Sequence, residues 1–158
     1  YETFDLRMAQ QPSETTEYML MRFFAYCLEY TEGIAFTEGV AAGDEPAVVV
    51  RDLTGRLIAW IEVGAPDAAR LHRGSKQAER TAVYTHRNIR QLLPELSAQK
   101  IHRAAEIPIY AFDPAFVSEV AEVIGRRVDV ALSITERELY LDVNGKTFTT
   151  TVAEHRLG

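Results

Sequence analysis

The sequence predicts a single α/β domain: a mixed β-sheet flanked by helices, with a β-hairpin at its C-terminal end. Three observations lead there. Segments of strand-like alternation interleave with segments of helical periodicity along most of the chain. The dipeptides Thr54-Gly55 and Asn144-Gly145 each separate two strand-like runs, as hairpin turns do. The length of 158 residues, 47% of them hydrophobic, supplies one core and is too short for two domains.

Taken in order, YETFDLRMA alternates Phe4, Leu6 and Met8 with polar residues and reads as a strand, which QQPSE breaks. Ser13 is the expected N-cap of a helix with Glu14 and Glu17 in its first turn, where negative charge is favourable, and with Leu20, Phe24, Cys27 and Leu28 as its apolar stripe. GIAFTEGVAAGDEP reads as loop around one short apolar piece. AVVVRDL and RLIAWIEVG are the strands of one hairpin. With a two-residue loop Leu53 faces Arg56, and counting back places Ala47 across from Glu62. Asp44 and Glu45 then enter the sheet where Glu62 leaves its strand. Pro66 suits the first turn of a helix over PDAARLHRGSKQAER, on which Arg70, Arg73 and Lys76 share a face. TAVYTH is a short buried strand, NIRQLLPEL a helix that Pro94 ends or bends, and IPIYAF another strand. Asp113 and Pro114 open a helix through Val123 or Ile124, with Gly125 as its cap. The strands VDVALSI, ELYLDV and KTFTTTV close the chain.

Composition narrows the function classes. No apolar run approaches the ~18 residues of a spanning helix, and YETFDLRMAQ lacks the order of a signal peptide, so a cytoplasmic protein without a membrane partner is expected. Cys27 is the only cysteine, which excludes an internal disulfide. His72, His86, His102 and His155 show no zinc-ligand spacing. A net charge of -6 argues against broad attraction to nucleic acid, yet Arg70, His72, Arg73, Lys76 and Arg80, followed by Arg87 and Arg90, concentrate positive charge in one stretch. That stretch is either a DNA- or RNA-binding face or an ordinary solvated helix.

Glu62 poses the chemical question. In AWIEVGAP, Trp60 and Glu62 share one face of a strand and Ile61 and Val63 the other, so the carboxylate ends a segment otherwise built for burial. Such a group needs a cation, a hydrogen-bond partner, a raised pKa or a solvent-filled cleft, unless it faces water on an edge strand. Asp44 or Glu45 from the hairpin, and Glu14 or Glu17 from the first helix, are candidates to join it. Two carboxylates about 4 Å apart repel by roughly 4 kcal/mol at an effective dielectric of 20, so a cluster calls for a proton or a cation. Carboxylates without Cys or His suit Mg²⁺ or Mn²⁺. Such an ion activates water and stabilises charge on a phosphodiester, with Arg or Lys assisting.

PSETTEYMLMRFFAY, GDEPAVVVRDLTG, WIEVGAPDAARLHRGSKQAERTAVYTH and the closing hairpin together resemble the YaeQ family, whose fold is a variant of the PD-(D/E)XK nuclease superfamily. The resemblance spans nearly the whole chain and implies an N-terminal strand that is incomplete here. It implies further that Glu14 and Glu17 match the family's first-helix acids, that Glu62 is the acid of the (D/E)XK element, and that the Val63 carbonyl is a metal ligand. The family's lysine is displaced from the position of Gly64 onto the next helix. Two departures stand out. Pro46 is followed by Ala47 where the family has an aspartate, and Arg73 stands at the displaced lysine. Arginine stays charged and cannot act as a base, though it can hold a phosphate. Lys76, one helical turn on, or Asp44 and Glu45 upstream, are the available substitutes.

Three readings follow. In the first, Glu62 with Asp44 or Glu45 binds the ion and Arg73 or Lys76 the scissile phosphate of a nuclease. In the second, the fold and the face Arg70, Arg73 and Lys76 bind nucleic acid or a protein without chemistry. In the third, the carboxylates only fix the sheet.

Overall fold

A computed structural model describes residues 14–37, 45–124 and 130–157. The strand expected at the N-terminus, the Ser13 cap, Asp44 and the Gly125 cap lie outside these residues. The chain forms α1 (Thr16–Leu28), β1 (Ile34–Phe36), β2 (Val48–Arg51), β3 (Leu57–Val63), α2 (Ala68–Gln77), β4 (Arg80–Thr85) and α3 (Ile89–Ser97). It continues through β5 (Pro108–Ala111), α4 (Pro114–Val123), β6 (Val130–Thr135), β7 (Glu138–Val143), β8 (Lys146–Thr151) and β9 (Ala153–Arg156).

The strands make a six-stranded sheet, ordered β1-β2-β3-β4-β5-β9, and a separate three-stranded antiparallel sheet, β6-β7-β8. In the larger sheet β3, β4 and β5 run parallel, while β1, β2 and β9 are antiparallel to their neighbours. The expected mixed sheet with flanking helices and a C-terminal hairpin is present. The separate second sheet and β9 were not expected.

α2 and α3 are the crossovers between the parallel strands, and right-handed crossovers running the same way along a sheet cover the same face. Accordingly Leu71 of α2 and Leu92 and Leu96 of α3 share one core with Val83 and Ile109. The other face is buried by α1, α4 and the smaller sheet, through Phe24, Val117, Leu139 and Leu141 against Ile61, Ala82 and Tyr84.

Local chemistry explains where the elements start. Thr15, not Ser13, caps α1, its hydroxyl accepting from the Tyr18 N–H at 3.1 Å. Glu17 therefore lies in the first turn, while Glu14 falls outside the helix. Asp67 caps α2 by accepting from the Arg70 N–H at 2.9 Å, which leaves Pro66 outside the first turn it was expected to occupy. α3 continues through Pro94 to Ser97. The carbonyl that the proline deprives of a partner belongs to Arg90, exposed in the first turn, so the loss is small.

The β2–β3 turn is wider than a two-residue loop. The Asp52 carbonyl accepts from Gly55 N–H and the Asp52 N–H donates to the Arg56 carbonyl, both at 3.0 Å. The Asp52 carboxylate also accepts from the N–H groups of Thr54 and Arg56, and Gly55 takes the positive φ of 87° that the turn demands. Ile58 then bulges, and this second irregularity restores the counted register: Val48, Val49 and Val50 face Ile61, Trp60 and Ala59. The paired ladder ends there, at Val48 and Ile61, one residue short of Ala47 and Glu62.

Candidate functional site at the carboxyl edge of the sheet

Glu62 occupies the penultimate position of β3 and is only 3% exposed. Its neighbour in the parallel ladder is Val83, so it lies where β3 and β4 end and α2 and α3 begin. Open α/β sheets bind their ligands at this carboxyl edge. Strand alternation puts Trp60 on the same face, towards α2. Gly74 lets that helix settle on the indole, since a Cβ at Gly74 would lie 2.6 Å from three of its ring atoms.

The carboxylate is fully engaged. Glu62 Oε2 accepts from Trp60 Nε1 at 2.9 Å and from Arg70 Nε at 3.1 Å, and Oε1 accepts from Arg70 Nη2 at 3.4 Å. Arg70 Nη2 also donates to the backbone carbonyl of Glu45 at 2.7 Å. The guanidinium thus ties the end of β3 to the segment that enters β2. Burial pushes the Glu62 carboxyl above its ordinary value; the Arg70 charge, the hydrogen bonds from Trp60 and Arg70, and the Arg73 charge pull it back. The raised value was expected, but its neighbours are arginines where carboxylates had been anticipated.

A second ion pair lies beside it. Arg22 donates through Nε and Nη2 to Glu14, the latter bond at 2.8 Å, and both side chains are buried. Burial raises the Tyr18 hydroxyl, the charges of Glu62 and Glu14 add to this, and Arg22 and Arg70 oppose it. The Tyr18 ring fits against Gly64, whose φ of 90° turns the chain out of β3. Across the same edge, His86 follows β4. Burial and the Arg87 charge lower its pKa, and the Glu17 charge opposes them. Among the described residues, His86 Nδ1 and Arg73 Nε are buried without a hydrogen-bond partner.

The anticipated site residues therefore divide. Glu62, Arg70 and the Glu45 carbonyl are joined, and Arg73 acts on Glu62 through its charge. Val63 ends β3 opposite Tyr84. Glu14 is taken by Arg22, and the charge of Glu17 acts on His86. Lys76 is exposed in the last turn of α2; at 3.6 residues per turn it is rotated by about 120° from Arg70, so the three cations do not share one face. Tyr18, Arg22 and His86 were not anticipated. The only sequence signal for Tyr18 and His86 is placement at a helix start and a strand end, and Arg22, in the middle of α1, has none.

A divalent ion does not fit these donors as they stand. Glu62 and Glu14 each hold an arginine, and among the described residues no group of three or more His, Cys, Asp or Glu side chains is placed to share an ion. No helix of the described residues is long and apolar enough to cross a membrane.

Comparison with known proteins agrees with this architecture. A family model described as YaeQ protein matches residues 1–152. The uncharacterized protein YaeQ of Escherichia coli (strain K12) is 28% identical over 137 residues, covering 86% of this chain and 76% of that protein. The crystal structure of YaeQ from Pseudomonas syringae superposes with a TM-score of 0.86 at 28% identity, covering 98% of this chain and 86% of that one. The YaeQ structure from Xanthomonas axonopodis pv. citri gives 0.82 at 25% identity, covering 97% and 87%.

Proposed function

The chain belongs to the YaeQ family, and from that premise we propose that it binds nucleic acid without metal chemistry, on a variant of the PD-(D/E)XK nuclease fold. The observation that carries this reading is the pairing of Glu62. Trp60 and Arg70 occupy its oxygens, so the acid that would hold an ion in a nuclease of this kind already holds a cation. The charge left around it is positive. Arg73 brings a guanidinium whose Nε has no partner among the described residues, and Arg87 and Arg90 are exposed just beyond β4. A guanidinium fork suits a phosphate, and phosphate contacts position a strand without reading its bases. The net charge of -6 confines that attraction to the edge and makes it sensitive to salt.

Fluorescence polarisation with labelled single- and double-stranded oligonucleotides tests the reading. Binding at low salt should persist with a chelator present, and the triple substitution Arg73→Ala, Arg87→Ala and Arg90→Ala should weaken it by about tenfold or more while reducing the salt slope by about one per lost phosphate contact. Mg²⁺- or Mn²⁺-dependent cleavage that disappears in Glu62→Ala would establish the nuclease instead. Absence of binding at low salt would leave a protein-interaction module.

A further inference from the structure

The contacts of Arg70 reach further than an ordinary salt bridge. Its Nη2 is within hydrogen-bonding distance of both Glu62 Oε1 and the Glu45 carbonyl, while its Nε holds Glu62 Oε2. Three oxygens, two from Glu62 at the end of β3 and one from the Glu45 carbonyl in the segment leading into β2, therefore converge on one guanidinium. Such a set is what a hard, oxygen-preferring cation needs from a protein when water completes its shell. We propose that Arg70 is the resident cation of this oxygen-lined site, a tethered substitute that keeps divalent ions out, and that removing its charge opens the site to a Ca²⁺- or Mn²⁺-class ion.

Two physical advantages favour the arginine over a free ion. A tethered group competes at an effective concentration that a free ion reaches only in the millimolar range. It also spreads one charge over a planar fork that fits a carboxylate, and it sheds its hydration more easily than a compact cation does. A divalent ion approaching with Arg70 in place would meet a like charge and find both Glu62 oxygens taken. Of the hard ions, Ca²⁺ with oxygen distances of about 2.3–2.6 Å and flexible geometry suits the vacated position better than Mg²⁺, which demands about 2.0–2.1 Å and octahedral order. Arg73 still acts on Glu62 after Arg70 is removed, so the opened site should be weak.

This inference uses the proposed reading only in treating Glu62 as non-catalytic, and its experiment reads ion binding, so either can fail alone. Calorimetric titration of the chain with CaCl₂ and MnCl₂ should give no saturable heat at millimolar ion. Arg70→Ala should bind at least about tenfold more tightly than the parent, and its melting temperature should rise with the ion. Both gains should vanish in the double variant Arg70→Ala with Glu62→Gln. Arg70→Gln, which removes the charge and keeps an amide donor, serves the same purpose if the alanine variant does not fold. Saturable binding by the parent that Glu62→Gln abolishes would overturn the proposal, because the ion would then reach Glu62 past Arg70. A folded Arg70→Ala or Arg70→Gln variant with no gain in binding would overturn it equally.

Discussion

Two buried carboxylates, on opposite faces of the large sheet, are held in the same way. Glu62 has an aromatic donor, Trp60, and an arginine, Arg70; Glu29, the C-cap of α1, has the hydroxyl of Tyr84 and Arg80. Burial pushes the Tyr84 hydroxyl upward, so it stays protonated and donates. The carboxylates are almost equally enclosed, at 4% and 6% side-chain exposure, whereas Arg70 is 25% exposed and Arg80 46%. A buried acid with an arginine and an aromatic donor is thus a clamp that recurs among the described residues, and it does not by itself mark a site. What separates the two is the surroundings. Only Glu62 stands at the carboxyl edge of parallel strands, with the Arg73 guanidinium close enough to act on it.

The arginines should break this likeness most strongly. Arg70→Ala leaves Glu62 buried without its cation and should cost about 3–5 kcal/mol in urea unfolding. Arg80→Ala removes a half-solvated partner and should cost about 0–1 kcal/mol. Equal losses would mean that exposure of the arginine does not decide the strength of the clamp. The aromatic donors should restore the likeness: Tyr84→Phe removes one hydrogen bond to a charged acceptor and should cost about 1.5–3 kcal/mol, a value that thermal melts can resolve. A smaller loss would leave Arg80 as the sole support of Glu29.

The gentlest test is pH. Burial holds Glu62 above its ordinary value of 4.5, so the native state takes up its proton more readily than the unfolded chain does. The stability this group contributes is fully present below pH 4.5 and is lost as pH rises from there through the native value. Glu62→Gln cannot titrate. The melting temperature of the parent relative to that variant should therefore fall across this window; a rise would mean that the arginines outweigh burial.

The register around Glu62 was legible in the sequence because alternation has a strict period and Thr54-Gly55 anchors the count. It survived a wrong loop length only because the Ile58 bulge offsets the wider turn. The need of Glu62 for a partner was equally legible, since a carboxylate inside an apolar strand must be compensated. Which residue answers it was not, because the Asp67 cap sets the rotation of α2 and points Arg70, rather than Arg73 or Lys76, at the carboxylate. Glu14 was read into the first turn of a helix, but Thr15 takes the cap and leaves that carboxylate to Arg22. His86 and Tyr18 reach the edge through tertiary packing alone. β9 gave no signal, because Ala153, Glu154 and Arg156 are exposed and lack apolar alternation.

That last strand shapes how the protein is made. β9 pairs with β5 from Pro108 opposite Arg156 to Ala111 opposite Ala153, and Leu157 joins the core beneath α2 and α3. A growing chain emerges N-terminus first, so the outer edge of β5 has no partner until Ala153–Arg156 have emerged as well. Its unpaired N–H and C=O groups, flanked by Ile109 and Tyr110, are through that interval a template for any other strand. Removing Ala153–Leu157 touches none of the residues around Glu62, yet it should make the purified protein aggregate in light scattering at concentrations where the parent stays clear.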